Sequence, residues 1–399
     1  MLEYLSYTLF FTTFIILSVY IYIRLKFGFW AIQPVFHVYD VGYMIKPPGI
    51  INENLPEKNK YTNFKNIETI LFSELSQLKS QRFVNLVKHH YLQNDDNIFN
   101  PKCENVIPYF VGHNDKTFIS FYLEDQCITH VKKQDIVTES KIIGVMTTRP
   151  VHISIKNGSK DATFDAYYVD YLCVDTMHRK KGVAPQLIQT HHYNQRHQNK
   201  NIVVSLFKRE DELTGIVPLC VYSTYGFPAS KWTKPAGLSG EYTVLEINKQ
   251  NFYFLLDFIR ENETTFDIFI CVEVTNIIEL INTKNIFINV VLHEKQIMCA
   301  YFFKKSCIDV EKGLEVLTCF ASICKCDTSV FIQGFKISFW KIAEENFFGY
   351  SAIENISHNN IIIDNIVLKT APQIISPTAY FFYNFAYPTF NSNRVFVIT

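Results

Sequence analysis

The sequence lacks net charge, because its 399 residues include 38 basic and 38 acidic side chains. No global electrostatic field therefore draws the protein to nucleic acid, and no nucleic-acid motif stands out. The ten cysteines contain no C-x-x-C pair, and Cys324 and Cys326 are the only close ones. We therefore expect no disulfide framework and no metal site, but reduced, mostly buried thiols in a cytosol-facing compartment.

The chain is rich in apolar residues. Hydrophobic residues make up 48% of it and aromatic residues 15%, a composition typical of a globular and not a disordered protein. A chain of this length can form two domains or one large double domain, each with a sizeable core.

A run without charge occupies residues 4–23. Twenty helical residues span roughly 30 Å, the thickness of a bilayer core. A cleaved signal peptide or a buried helix would also be apolar, but Glu3 precedes the run and Arg24 and Lys26 follow it, unlike the basic start of a signal peptide. We therefore expect a single-pass membrane anchor with the following domain on the cytosolic side.

The centre of the sequence predicts a strand, a basic loop and a helix. Tyr167–Val174 is aromatic and β-branched, Arg179–Ala184 is the loop, and helical spacing of apolar residues begins at Pro185. The loop resembles R/Q-x-x-G-x-G/A, the pyrophosphate loop of the GNAT superfamily of acyl-CoA-dependent acyltransferases. Free first-turn N–H groups and the helix dipole suit a diphosphate, although a basic turn before a helix is also compatible with a solvated helix start.

Five segments, collinear along the chain, resemble the N-myristoyltransferases, which are glycylpeptide N-tetradecanoyltransferases. The central segment stands where the family reads FLCVHKKLRSKRVAP. The segments are F-W-x-x-Q-P-V at Phe29–Val35, Y-L-Q-N-D-D-N-I-F at Tyr91–Phe99, K-I-I-G-V at Lys141–Val145, Y-L-C-V-x-x-x-x-R-K-K-G-V-A-P at Tyr171–Pro185 and Y-F-F-Y-N-F at Tyr380–Phe385.

The resemblance implies an α/β fold with a mixed sheet, built from two fused GNAT-like halves. The anchor, assigned to 1–26, lies outside the resemblance, which divides the rest of the chain into an acyl-CoA-binding half at 27–230 and a peptide-binding half at 231–399 that carries the catalytic C-terminus. The implied activity is transfer of a tetradecanoyl group from myristoyl-CoA to the N-terminal glycine amine of proteins, by a membrane-anchored monomer that needs no metal.

The resemblance also implies roles for individual residues. The backbone N–H groups of Tyr171 and Leu172 would form the oxyanion hole, and the terminal carboxylate of Thr399 would be the general base. The alternation of Val395 and Val397 with Phe396 and Ile398 predicts that this tail is an ordered strand. The acyl-CoA site would comprise Gly28, Phe29, Trp30, Tyr171, Leu172, Cys173, Val174, Arg179, Lys180, Lys181, Gly182, Val183 and Ala184.

The sequence departs from the family in its second half. Ile374-Ile375-Ser376 replaces an acidic G-D-G, Ser351 and Glu354 stand in a Y-S-A-I-E that replaces F-N-A-L-D, and no glycine follows Gly349. Two alternatives therefore stay open: a GNAT-type enzyme with another acyl-CoA or amine, and a catalytically inactive acyl-CoA-binding membrane scaffold.

Overall fold

A computed structural model describes residues 2–92, 97–129, 136–156, 161–210, 215–229, 232–310 and 313–399. Residues 93–96 of the Y-L-Q-N-D-D-N-I-F segment lie outside the described residues. The described helices are α1 (Leu2–Phe27), α2 (Val41–Ile45), α3 (Gln77–His90), α4 (Cys103–Val106), α5 (Val183–Gln198), α6 (Phe252–Asn262), α7 (Val274–Asn282), α8 (Thr328–Asn346) and α9 (Asn359–Val367).

Strands alternate with these helices along the chain. They are β1 (Gly49–Ile50), β2 (Ile67–Leu71), β3 (Asn97–Phe99), β4 (Phe118–Thr129), β5 (Ile136–Ile155), β6 (Ala162–Val174), β7 (Val204–Glu210), β8 (Cys220–Pro228), β9 (Tyr242–Glu246), β10 (Ile268–Cys271), β11 (Ile286–His293), β12 (Gln296–Val310), β13 (Leu314–Cys324), β14 (Tyr350–Glu354), β15 (Ile374–Tyr383), β16 (Phe385–Ala386) and β17 (Val395–Ile398).

One mixed sheet of fifteen strands runs through the described part of the chain, which confirms the expected mixed α/β class. Its order is β17-β10-β5-β6-β7-β15-β8-β14-β13-β12-β11-β9, with β4 and β2 joined beside β5 and β3 beside β12. The pairs β6·β7, β13·β14 and β10·β17 are parallel. Strands from before and after residue 230 alternate in this sheet, and the division into two GNAT-like halves stays a prediction.

The strand β5 is longer than its sequence suggests. Arg149-Pro150 predicts a turn between two strands, but β5 continues through both residues to Ile155. On one side β4 pairs with β5 as far as Thr148, and β10 pairs with it only from His152. Pro150 lies between these two partners, where β5 is locally an edge and the missing N–H breaks no ladder bond.

The helix α5 packs on β4 and β5. Gly144 of the K-I-I-G-V segment lies beneath it, where an added Cβ would stand 2.8 Å from the side chain of Leu187 and 3.2 Å from that of Val183. Only glycine therefore allows the helix to approach β5 this closely.

The helix α1 extends from the domain. Side chains described in Tyr7–Phe27 are not buried, and this segment is long and apolar enough to cross a membrane. Its last residue, Phe27, contacts Gly215. The helix thus joins the domain at its C-terminal end.

Candidate functional site

A cleft opens where two parallel strands separate. β6 and β7 pair over Ala166–Val169 and Val204–Phe207 only, and each then continues beyond the other. A cavity of about 460 Å³ occupies the opening, with Leu172 and residues of α5 in its wall. A largely apolar cleft of this size suits an extended small-molecule ligand.

The two residues predicted to form an oxyanion hole lie at a β-bulge, Tyr171 within it and Leu172 directly after it. Met146 pairs with Leu172 and Thr148 with Val169, so that Asp170 and Tyr171 together stand opposite Thr147. The Tyr171 N–H donates to the hydroxyl of buried Thr147 at 3.1 Å. A bulge redirects the backbone out of the ladder, which is how a strand can offer N–H groups to a ligand.

The basic loop precedes α5 as expected. Gly182 is its N-cap with φ +79°, a left-handed conformation that favours glycine. The helix begins at Val183, two residues before the predicted start, and Pro185 lies in its first turn. That turn has no intrahelical N–H partners, so proline still costs no hydrogen bond.

The charges of the loop face solvent. Lys180 and Lys181 are exposed, whereas the guanidinium of Arg179 donates to the carbonyls of Val174 and His90. Arg179 thus holds the loop in place. The two exposed lysines and the N-terminus of α5 can bind an anion.

The F-W-x-x-Q-P-V segment packs against the Y-F-F-Y-N-F segment, far apart in sequence. The Tyr383 hydroxyl donates to the Gln33 side chain at 2.7 Å, and the Asn384 N–H donates to the Pro34 carbonyl at 2.6 Å. Trp30 stacks on Phe207 with centroids 5.9 Å apart. Trp30 lines the cleft, and its role in acyl-CoA binding stays a prediction.

Gly28 and Phe29 lie just before this contact. Gly28 has φ +48°, and Phe29 meets Tyr61 edge-on with centroids 5.0 Å apart. They bring the chain from α1 to the cleft, and neither lines the cavity itself.

Cys173 follows the bulge and is buried. Burial raises the pKa of its thiol to about 12. The thiol therefore stays protonated at neutral pH and is a poor nucleophile, since thiolate is the reactive form. Its neighbour Val174 is half-buried at the end of β6.

A second cavity, of about 300 Å³, contains Thr399 in its wall. The tail β17 is a buried strand, which confirms that prediction, and it pairs in parallel with β10. Tyr168 lies in the wall of the same cavity as Thr399. Burial and these contacts fix the position of Thr399 in the molecule.

The two cavities share a wall. Leu172 lines the first and Tyr171 the second, so that the bulge borders both. The residues common to both walls are Tyr91, Leu92, Tyr168, Asp170, Lys208 and Glu210.

A buried ion pair in this region was missed by the sequence analysis. The Arg149 Nε donates to both carboxylate oxygens of Asp170 at 3.0 Å, and Arg149 is 1% exposed. Burial raises the pKa of Asp170, and the Arg149 guanidinium opposes that shift. In the sequence, Arg149 and Asp170 are opposite charges inside apolar strand segments, and this pattern could have indicated the pair.

Glu354, one of the residues at which the sequence departs from the family, forms a second buried charge cluster. It accepts hydrogen bonds from Lys208 at 3.1 Å and Tyr222 at 2.9 Å, and Lys304 lies 3.2 Å away. Burial alone would raise the pKa of Glu354, but the two lysines lower it to about 2. Ser376, another departure from the family, also lines the second cavity, whereas Ser351 is buried in β14 and does not line it.

Residues 57–220 match the family model described as Myristoyl-CoA:protein N-myristoyltransferase, N-terminal domain. A search of curated proteins found no match.

Solved structures match over nearly the whole chain. A Saccharomyces cerevisiae N-myristoyltransferase with bound myristoyl-CoA superposes with TM-score 0.70 and 13% identity, over 93% of this chain and 98% of that one. Another structure of the Saccharomyces cerevisiae enzyme with bound myristoyl-CoA gives TM-score 0.67 and 14% identity, over 93% and 94%. At this identity the likeness establishes the fold.

Proposed function

Because the chain belongs to the N-myristoyltransferase family, we propose that it transfers a tetradecanoyl group from myristoyl-CoA to the N-terminal glycine amine of a protein. The match over residues 57–220 and the shared fold confirm the family that the sequence resembles. The observation that carries the activity is the pair of cavities meeting at the bulge of β6. One cavity suits the acyl donor and the other the amine.

The acyl-CoA would lie between the cleft and the start of α5. Lys180, Lys181 and the free N–H groups of Val183 and Ala184 would hold its phosphates, because the exposed charges and the helix dipole attract anions. The acyl chain would enter the cleft past Trp30.

At the bulge, the amine attacks the thioester carbonyl, and the carbonyl oxygen becomes an oxyanion. The N–H groups of Tyr171 and Leu172 stabilise that charge, a contribution of about 3–4 kcal/mol per donor in a preorganised site. The intermediate then collapses to the amide as its C–S bond breaks, and the remaining ammonium proton passes to the departing thiolate, which leaves as CoA-SH. For Tyr171 this requires the substrate oxygen to replace the Thr147 hydroxyl as acceptor.

The amine arrives as an ammonium and must lose a proton before it attacks. We assign the base to the terminal carboxylate of Thr399, which lines the second cavity. Thr399→Leu retains that carboxylate and should retain turnover, whereas two added residues replace it with a neutral carbonyl and should lower turnover about 10²- to 10⁴-fold. Equal turnover of the extended protein at neutral pH would refute the assignment.

Mass spectrometry tests the reaction directly. The full chain, myristoyl-CoA and a peptide with an N-terminal glycine should give a peptide carrying one tetradecanoyl group. The same peptide with an acetylated N-terminus is the control and should stay unmodified. Absence of product from an acyl-CoA-binding protein would refute the transferase assignment.

An inactive acyl-CoA-binding scaffold is the second candidate. It is favoured by the hydrogen bond that already occupies the Tyr171 N–H. Lys180→Glu with Lys181→Glu should weaken acyl-CoA binding in calorimetry in either case, because both functions use the phosphates. Only product formation separates them.

We further propose that α1 anchors the protein to a membrane. A helix apolar on all sides is stable when buried in protein or in lipid, and the described side chains of Tyr7–Phe27 are not buried in the domain. Removal of residues 1–26 should release the protein from membranes in a flotation assay while acyl-CoA binding persists. Continued flotation of the truncated protein would refute the anchor.

A further inference from the structure

Three cysteines converge where β12 begins and β13 ends. Cys299 lies on β12 directly opposite Cys324 at the end of β13, and Cys326 follows in the turn before α8. Their sulfur atoms all lie within 4.8 Å of one another. None of the three lines either cavity described above.

The spacing of the sulfur atoms suits a common metal ion. Sγ of Cys299 and Sγ of Cys326 are 2.8 Å apart. A disulfide bond is shorter, at about 2.05 Å. Thiolates on tetrahedral zinc, with Zn–S distances of about 2.3 Å, lie roughly 3.8 Å from each other. A movement of about 1 Å by the sulfurs thus converts the triangle into a zinc-binding geometry.

We propose that Cys299, Cys324 and Cys326 bind one Zn²⁺ ion, with water as the fourth ligand. Thiolate sulfur is a soft donor, and three such donors select zinc or copper(I) over hard cations. Three thiolates carry a charge of −3, which a divalent ion neutralises further than a monovalent one. Zinc is therefore the ion that this ligand set favours.

The exposure of the three cysteines indicates where the fourth ligand of the ion would bind. Cys299 is completely buried, whereas Cys324 and Cys326 are half-buried, so the cluster faces solvent on one side. The nearby His358 already uses Nδ1 to accept the Cys324 N–H at 2.9 Å. Water can reach the remaining position, which completes four-coordination.

The backbone holds the ligands in place and favours their charge. α8 begins at Thr328, two residues after Cys326, and the positive end of its dipole stabilises nearby thiolates. The Lys325 N–H donates to the Met298 carbonyl at 2.9 Å, which extends the hairpin into the turn. A bound ion would therefore tie the β12–β13 hairpin to the start of α8.

Metal titration of the full-length protein in a phosphine reductant tests the proposal. The parent should bind one equivalent of Zn²⁺ in competition with a chromophoric chelator, and its melting temperature should rise. Cobalt substitution should produce a thiolate-to-metal charge-transfer band. Cys324→Ser and Cys326→Ser alter half-buried positions, so both variants should fold. Each should lose the zinc binding, the rise in melting temperature and the cobalt charge-transfer band.

Cys103→Ser is the matched control, since Cys103 is a half-buried thiol outside the cluster. It should bind zinc like the parent. Equal zinc affinity in the parent and Cys326→Ser would overturn the proposal. Binding of copper(I) but not zinc, or a Cys299–Cys326 disulfide in freshly purified protein, would also overturn it.

Discussion

The buried Arg149–Asp170 pair allows a sharp test of the energetics at the shared cavity wall. Arg149→Met removes the guanidinium and leaves the Asp170 carboxylate, whose side chain is 11% exposed, without its cationic partner. Asp170→Asn removes the carboxylate and leaves a buried cation. The double variant removes both charges and keeps similar volumes in the wall.

The contacts of the two side chains determine how far each variant should lower the free energy of unfolding. Loss of one partner of a buried ion pair costs about 3–5 kcal/mol, because the other charge stays desolvated. Arg149 also lies 5.3 Å from the ring centroid of Tyr109 and 5.4 Å from that of Tyr168, contacts worth about 0.5–2 kcal/mol each. The double variant should be less destabilised than the sum of the single variants by several kcal/mol, because neutral residues carry no desolvation penalty.

The pH dependence distinguishes the two single variants. Burial raises the pKa of Asp170, and Arg149→Met removes the guanidinium that opposes this shift. A carboxyl whose folded pKa is raised above its unfolded value loses stability as pH rises toward the folded pKa, so the deficit of Arg149→Met should be smaller at pH 5.5 than at pH 7.5. The deficit of Asp170→Asn should not shrink in this way.

Urea denaturation of the parent and the three variants at both pH values measures these free energies of unfolding. Additive costs in the double variant would refute the coupling between the two side chains. A pH-independent deficit for Arg149→Met would refute the assignment of an ionised, buried Asp170.

Two further predictions concern the same region. Burial lowers the pKa of His191 and His192 to about 3, so around and below pH 6.5 the unfolded chain binds protons that the folded chain does not. Urea denaturation should show a loss of roughly 3 kcal/mol between pH 6.5 and 5.0, and a pH-independent stability would show that these rings are not buried. Thr147→Val removes the acceptor of the Tyr171 N–H and should cost about 1–3 kcal/mol in the free protein. That deficit should shrink in thermal denaturation with a non-reactive acyl-CoA analogue; an unchanged deficit would mean that this N–H does not bind the substrate oxygen.

The central strand, loop and helix could be predicted from the sequence because each has a local signal. Gly182 adopts the left-handed conformation that a tight turn before a helix requires, and the apolar tail Val395–Ile398 is a buried strand. The hydrogen bond between Gln33 and Tyr383 joins two segments that are far apart in the sequence. Only the family resemblance had related these segments to each other. Local pattern and collinear motifs therefore located most of the proposed site.

Other features depend on tertiary partners and gave no local signal. From the sequence alone, Pro150 indicates a turn. The structure shows that the proline lies where β5 changes its pairing partner from β4 to β10. The bulge at Tyr171 depends on the register between β5 and β6. Cys299 lies too far in sequence from Cys326 for their convergence to be inferred without strand pairing.

The route of β5 explains how both ends of the proposed reaction meet. Before Pro150 it pairs with β6 and β4, and the register with β6 places the bulge at the cleft. After Pro150 its outer edge pairs with β10, and β10 in turn pairs with β17. The strand that positions the Tyr171 N–H thus also positions, through two further strands, Thr399. A substitution that restored β4 pairing past residue 150 would compete with β10 for that edge, and the proposed base would lose its position while the cleft for the acyl group remained.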